Sequence, residues 1–132
     1  MKKTGVLNRH LAGALAELGH TDQVVVCDSG LPIPYGCDGP KVVDLSLVAG
    51  EPRFTAVVDA LLSELKIDGA LAACEVSDGN LRVAEFLTGR FQDLELVAHE
   101  ELKKRVERAR LVVRTGEATP YANVILRCGV PF

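Results

Sequence analysis

Several patterns that assign a protein to a functional class are missing from this sequence. Its net charge of −3 offers no basic surface for nucleic acid. No stretch approaches the ~18 consecutive apolar residues of a membrane-spanning helix. Neither the dinucleotide-binding pattern G-x-G-x-x-G nor the phosphate-binding P-loop occurs. We therefore expect a partner that is neither nucleic acid nor membrane. We also expect that the functional site contains neither of these two nucleotide-binding loops.

Cysteine and histidine are placed too sparsely to predict a metal centre. The four cysteines (Cys27, Cys37, Cys74 and Cys128) form no C-x-x-C pair. The three histidines lack H-x-x-H and H-E-x-x-H spacing. We expect no metal and reduced thiols, with Cys27 and Cys74 as small hydrophobic residues inside apolar runs. Polar residues interrupt the leucines of the N-terminal segment, which argues against a signal peptide, so we expect a cytoplasmic protein.

Strand and helix patterns alternate over the 132 residues. The length fits one domain, 1–132, that can bury one core. Helical spacing is predicted at 8–18, 54–65, 80–89 and 100–109, and strands at 23–27, 41–47, 69–74, 94–99, 110–114 and 123–128. This alternation predicts an α/β fold: one mixed, mostly parallel sheet with helices on both faces, in three layers.

Polar residues follow the ends of three predicted strands. Asp28 comes directly after strand 23–27, and His99 ends strand 94–99. The loop that leaves strand 110–114 carries Tyr121 and Asn123. Ligands of open α/β sheets bind outside the carboxyl ends of the strands. The sequence therefore predicts that these side chains share one rim.

His20, eight positions before Asp28, has two interpretations. It lies just past the predicted end of the first helix, where the helix dipole and a nearby carboxylate would both favour the imidazolium form and make it a proton donor. It could instead cap the last carbonyls of that helix. Asp28 could likewise close an Asp-Ser-Gly turn rather than bind a ligand. The residues alone leave these alternatives open.

Five segments carry a resemblance to a known family. They are ELGHTD (17–22), CDSGLPIP (27–34), DLSL (44–47), AHEEL (98–102) and RTGEATPYANVIL (114–126). In this order and spacing, the chain resembles the D-ribose pyranase branch of the ribose/fucose mutarotase superfamily. The resemblance runs from GVLNRHLA near the start to GVPF at the end, although residues 35–41 match poorly.

The resemblance implies a function, a site and an assembly. It implies a cofactor-free isomerase that interconverts the pyranose and furanose forms of D-ribose, with His20 as proton donor. The residues implied to bind the sugar are Asp28, His99, Tyr121, Ala122 and Asn123. The implied assembly is a homodecamer of two stacked pentameric rings with sites at subunit contacts, where His20 and Asp28 would face the 121–123 segment of a neighbouring chain. A fucose-type mutarotase and a non-catalytic ribose-binding accessory protein are the alternatives.

Overall fold

Six strands form one sheet in the computed structural model, which describes residues 1–132. The strands are β1 (Gln23–Cys27), β2 (Lys41–Asp44), β3 (Ile67–Ala73), β4 (Leu94–Val97), β5 (Leu111–Arg114) and β6 (Val124–Cys128). The helices are α1 (Arg9–Ala16), α2 (Phe54–Leu62), α3 (Val76–Gly79), α4 (Leu81–Arg90) and α5 (His99–Val106). None of these helices has the length and apolar character needed to cross a membrane.

The sheet is mixed and mostly parallel, as predicted. Its strand order is β2-β5-β1-β6-β3-β4. Strand β6 runs antiparallel to both of its neighbours, β1 and β3, while the β1–β5, β2–β5 and β3–β4 pairs are parallel. The carboxyl ends of the other five strands therefore meet along one side of the sheet, where β6 begins. We call this side the carboxyl edge, and the side where β6 ends the amino edge.

Alternating side chains of the strands divide the core between the two faces of the sheet. In β1, Val24 and Val26 pack into a cluster with residues of α1, α2 and α4, whereas Val25 and Cys27 pack with α5. Successive residues of a strand point to opposite faces, so a continuous apolar run such as 24–27 indicates a strand covered on both sides. The predicted three-layer arrangement is confirmed.

Some predicted boundaries and one short helix were wrong. Strand β2 ends at Asp44 instead of 47, because the amides of Leu47 and Val48 donate to the carbonyl of Glu51 in a tight turn. Helix α1 ends at Ala16 instead of 18. The four-residue helix α3 was not predicted at all.

One cysteine lies in a different environment from the predicted one. Cys27 is buried, as expected of a residue inside an apolar run, but Cys74 is exposed because it follows the last residue of β3. The sequence pattern of 69–74 extended the buried run one residue too far.

Candidate active site

Asp28 and Asn123 form the centre of the carboxyl edge. Asp28 follows β1, and Asn123 precedes the neighbouring antiparallel strand β6, so the two residues start from the same side of the sheet. The Asn123 Nδ2 donates to Asp28 Oδ2 at 3.0 Å, and the Asp28 amide donates to Asn123 Oδ1 at 2.9 Å. Asp28 Oδ1 also accepts from the Gly30 amide at 2.9 Å. The carboxylate is thereby fixed in orientation and keeps free lone pairs on both oxygens.

His99 and Tyr121 form a second pair on the same edge. Their rings meet edge to face with centroids 5.3 Å apart. The Nδ1 of His99 is buried without a hydrogen-bond partner, so a polar contact between this ring and a ligand has to use Nε2. Tyr121 has a φ of 59°, a left-handed conformation that is uncommon for residues other than glycine and that often marks functional sites.

The segment from Tyr121 to Asn123 links the two pairs. The Asn123 amide donates to the Tyr121 carbonyl at 2.9 Å, which tightens the chain between them. Ala122 is fully buried in the core between its neighbours. The predicted convergence of Asp28, His99, Tyr121 and Asn123 on one rim is therefore present within a single chain.

Glu75 supports His99 and was missed by the sequence analysis. Both of its carboxylate oxygens accept from the His99 amide, at 3.1 and 3.0 Å. These hydrogen bonds hold the pKa of Glu75 below its ordinary value. Its position directly after Cys74 at the end of β3 was the available sequence signal, because that position belongs to the carboxyl edge.

The cysteines on this edge are poorly suited to nucleophilic chemistry. Burial raises the pKa of Cys27 to about 12. A hydrogen bond to the Glu75 carboxylate raises the pKa of Cys74, with a smaller contribution from burial. Since the thiolate is the reactive form, both thiols are held in their unreactive state at neutral pH.

Arg114, at the end of β5, fixes the chain that follows Asp28. Its Nη2 and Nε donate to the Ser29 carbonyl at 2.8 and 3.2 Å, and its Nη1 donates to Asp44 Oδ2 at 2.9 Å. Partial burial opposes ionisation of Asp44, but hydrogen bonds from Ser46 and Arg114 outweigh it and hold the pKa of Asp44 below its ordinary value. The Arg114 charge is therefore matched within the chain.

His20 lies on the other side of the sheet from this cluster. It precedes β1 whereas Asp28 follows it, and the neighbouring Thr21 amide donates to the Cys128 carbonyl at the end of β6. Asp22, two residues after His20, lies six residues before Asp28. An extended strand rises ~3.3 Å per residue, so Asp22 and Asp28 are about 20 Å apart. His20 and Asp28 of one chain are thus too far apart to touch the same small ligand.

The local environment of His20 also differs from the expectation. Its side chain is exposed and makes no hydrogen bond to the carbonyls of α1, so the alternative interpretation of His20 as a helix cap is wrong. The helix ends at Ala16, one turn earlier than His20, and a helix dipole acts mainly within the last turn. The chain turns here through the Gly19 amide, which donates to Asp22 Oδ2 at 2.8 Å.

The assignment of the 121–123 segment to a neighbouring chain was wrong with respect to Asp28. Asp28 makes its contacts with Asn123 of its own chain, through two hydrogen bonds of 3.0 and 2.9 Å. The sequence analysis placed His20 and Asp28 in one site on the family resemblance. The strand between them separates them in space.

Comparison with known proteins gives consistent matches over the whole chain. The model of the RbsD / FucU transport protein family matches residues 1–131. A D-ribose pyranase of Streptomyces coelicolor is 62% identical over 132 residues, which is 100% of both chains.

Two solved structures share the fold. The structure of Bacillus subtilis RbsD complexed with D-ribose is 46% identical, with a TM-score of 0.92 and 100% of each chain covered. The fucose mutarotase of Streptococcus pneumoniae in complex with L-fucose is 21% identical, with a TM-score of 0.82 and 100% of each chain covered. At that lower identity the second match supports the fold alone.

Proposed function

The chain belongs to the RbsD / FucU family, and from this membership we propose that it is a D-ribose pyranase, an isomerase that interconverts the pyranose and furanose forms of D-ribose. The observation that carries the proposal is the full-length identity of 62% to a protein of that activity. The paired Asp28 and Asn123 beside His99 and Tyr121 supply a polar rim that suits a sugar.

The reaction needs proton transfer and needs no cofactor. A pyranose opens when its anomeric hydroxyl loses a proton while the ring oxygen gains one, which breaks the bond from C1 to the ring oxygen and leaves an open-chain aldehyde. The hydroxyl on C4 then attacks C1, and the reverse proton transfers close the furanose. General acid–base catalysis typically contributes ~10²–10⁴-fold to such a step, and histidine titrates near neutral pH. We propose His20 as the acid that protonates the ring oxygen.

Asp28 and Asn123 are proposed to anchor the sugar hydroxyls. Each Asp28 oxygen accepts one hydrogen bond within the chain and can accept another from a hydroxyl. Asn123 is fully buried, and its two hydrogen bonds fix the orientation of the Asp28 carboxylate, so this carboxylate is preorganised before sugar binds. Preorganisation of this kind lowers the entropic cost of binding.

His99, Tyr121 and Ala122 are proposed to form the rest of the sugar-binding wall. Because Nδ1 of His99 is buried, the ring nitrogen proposed to hydrogen-bond a sugar hydroxyl is Nε2. Tyr121 supplies a phenol and a ring face beside it. Ala122 is fully buried in the single chain, so it is proposed to support the wall from behind Tyr121.

We propose that His20 reaches this wall from a second copy of the chain. The two edges of one sheet are about 20 Å apart, whereas an acid must lie within ~3 Å of the oxygen that it protonates. A head-to-tail contact, in which the amino edge of one copy meets the carboxyl edge of the next, would bring His20 to the neighbour's Asp28. Contacts of this heterologous type close into rings when the rotation permits.

Exposed apolar side chains on both edges support a subunit contact. Leu47, Val48 and Leu81 are exposed near the carboxyl edge, and Val130 and Phe132 are exposed after β6 at the amino edge. These side chains are available for burial in a subunit contact, which would remove their apolar surface from water. On the family resemblance we propose a decamer of two pentameric rings. We also propose that the protein acts in the cytoplasm, where its free cysteines stay reduced.

Gly79→Ala is predicted to weaken sugar binding. A Cβ at position 79 would lie 2.7 Å from ring atoms of Tyr121, so the ring must move. We expect the KM for ribose to rise roughly threefold to tenfold, equivalent to ~0.7–1.4 kcal/mol, with little change in kcat, because a displaced wall residue removes binding shared by substrate and transition state. Saturation-transfer kinetics over a range of ribose concentrations measure both constants.

The control for this variant is Gly89→Ala. Gly89 lies in α4 with no atom within 4 Å of an added Cβ, so we expect unchanged kinetics. An unaltered KM for Gly79→Ala would contradict the proposed contact between Tyr121 and the sugar.

Exchange spectroscopy tests the proposed function. NMR saturation transfer between the anomeric signals of ribose measures the pyranose–furanose exchange rate with and without protein. We expect strong acceleration for ribose and a weaker effect on L-fucose. Tight ribose binding without acceleration would support a non-catalytic ribose-binding protein, and preferential acceleration of fucose exchange would support a fucose-type mutarotase. Either result contradicts the proposal.

A further inference from the structure

We propose that Glu117 is a positioning residue that sets the geometry of the sugar-binding wall. Glu117 lies in the loop between β5 and β6, is only 3% exposed, and belongs to none of the groups predicted to touch the sugar. This inference rests on the proposed function, because it concerns how the same site binds ribose. The contacts of Glu117 extend to two parts of the wall, the segment before Tyr121 and the segment around Asp28.

The carboxylate of Glu117 joins two helices to the loop before Tyr121. Its Oε2 accepts from the amide of Phe54, the first residue of α2, at 3.0 Å. The N-cap residue of α2, Arg53, makes no side-chain capping hydrogen bond. The Glu117 Oε1 accepts from the Thr119 hydroxyl at 2.9 Å and from Arg82 of α4 at 3.3 Å. A buried carboxylate is costly unless it is hydrogen-bonded, and this one has three donors on two oxygens.

The Thr119 hydroxyl continues this connection to the wall. It accepts from Asn80 Nδ2 at 2.8 Å, and the same Nδ2 donates to the Pro120 carbonyl at 2.8 Å. Asn80 also accepts from the Val83 amide as the N-cap of α4. Thr119 and Pro120, the residues directly before Tyr121, are therefore held between Glu117 and the start of α4.

The backbone of Glu117 holds the other half of the wall. Its carbonyl accepts from the Ser29 amide at 2.9 Å and from the Ser29 hydroxyl at 3.0 Å. Its amide donates to the Thr115 hydroxyl, which in turn donates to the Cys27 carbonyl at 2.8 Å. Cys27 and Ser29 flank Asp28, so Glu117 contacts one neighbour of the sugar anchor directly and is linked to the other through Thr115.

The position of this residue suggests that it couples two loops that are distant in sequence. Asp28 and Tyr121 come from different ends of the chain, yet Glu117 contacts Ser29 beside the first and is linked to the second through Thr119. A carboxylate is needed because all three groups that hydrogen-bond to the Glu117 side chain are donors. An amide at the same place would set its NH₂ group against at least one of them.

Glu117→Gln, which keeps the shape of the side chain, tests the proposal. We expect the KM for ribose to rise about tenfold while kcat stays within about twofold, because hydrogen bonds to a charged group are lost and the wall shifts. Thr119→Val, which removes the connecting hydroxyl, should raise KM about threefold with the fold intact. The double variant should show less than the product of the two effects, because both changes break one connection.

The matched control is Asp59→Asn. Asp59 is a carboxylate of α2 that pairs with Arg90 of α4 at 2.8 Å, and it contacts no residue of the wall. We expect its KM and kcat to equal those of the unmodified protein.

A readout of KM against kcat separates positioning from stability. If Glu117 served only to cap α2, the active fraction and the melting temperature would fall while KM stayed constant. That result, or an unchanged KM in both Glu117→Gln and Thr119→Val, overturns the proposal. If the unmodified protein itself shows no exchange activity, the proposed function fails in the same assay, which distinguishes the two failures.

Discussion

Replacing His20 with alanine is expected to lower kcat for pyranose–furanose exchange by about 10²–10⁴-fold, the usual contribution of a general acid–base group. The residue lies exposed on the amino edge, and its side chain has no hydrogen bond that stabilises the fold. Removing it therefore removes the proposed proton donor without disturbing the core. The saturation-transfer rate at saturating ribose measures this loss, and calorimetry should show ribose affinity changed only a few-fold.

His10→Ala is the control for the loss of a histidine. His10 is exposed on α1, and its imidazole Nε2 accepts a hydrogen bond from Arg9 Nε at 3.4 Å. We expect this variant to retain the exchange rate of the unmodified protein. If the His20 variant also retained it, the acid in the proposed mechanism would have to be another residue.

Of the proposed substitutions, Gly116→Ala is expected to lower the free energy of unfolding the most. Gly116 lies in the loop after β5 and packs directly against the chain at Glu51, where an added Cβ would lie 2.0 Å from the Glu51 carbonyl oxygen and 2.7 Å from that of Val48. Backbone atoms cannot rotate away as a flexible side chain can. Overpacking in a buried site typically costs 1–3 kcal/mol, so we expect about 3 kcal/mol or more.

The effect of this substitution can be measured by thermal unfolding at one fixed protein concentration. A loss of ~3 kcal/mol corresponds to a fall in Tm of roughly 10 °C for a chain of this size. The concentration must be fixed because association contributes to the apparent stability of an oligomer. Gly13→Ala is the control, since Gly13 lies within α1 with no atom within 4 Å of an added Cβ. That change should leave Tm unchanged or raise it, and a Tm for Gly116→Ala within 2–3 °C of the unmodified protein, equivalent to less than ~1 kcal/mol, would contradict the close contact.

The sheet was predictable because its strands are short apolar runs with clear ends. In 23–27, four consecutive buried residues alternate between the two faces, and this pattern needs no knowledge of distant contacts. The end of β2 depends on a long-range contact instead. The Gly50 amide donates to Gly116, 66 positions away, and this contact helps to hold the turn that stops the strand. The helix α3 was missed because four residues are too few to show helical periodicity.

The candidate site was predictable in outline for the same reason. Asp28 and His99 follow strands, and the rule that ligands bind at carboxyl ends brought them together with Tyr121 and Asn123. Their partners were not predictable, since the hydrogen bonds between Asp28 and Asn123 span 95 positions. The separation of His20 from Asp28 follows from the strand between them, although the family resemblance places both in one site.

The central claim is that one site uses His20 of one chain and Asp28 of another. It is tested most directly by assembling the inactive variants His20→Ala and Asp28→Ala together in equal amounts. In a head-to-tail ring, one of the two orders of a mixed contact joins an intact His20 to an intact Asp28, so random mixing of subunits should restore about a quarter of the exchange activity. If each site were built within one chain, the mixed assembly would stay as inactive as its two components, and that result would contradict the account.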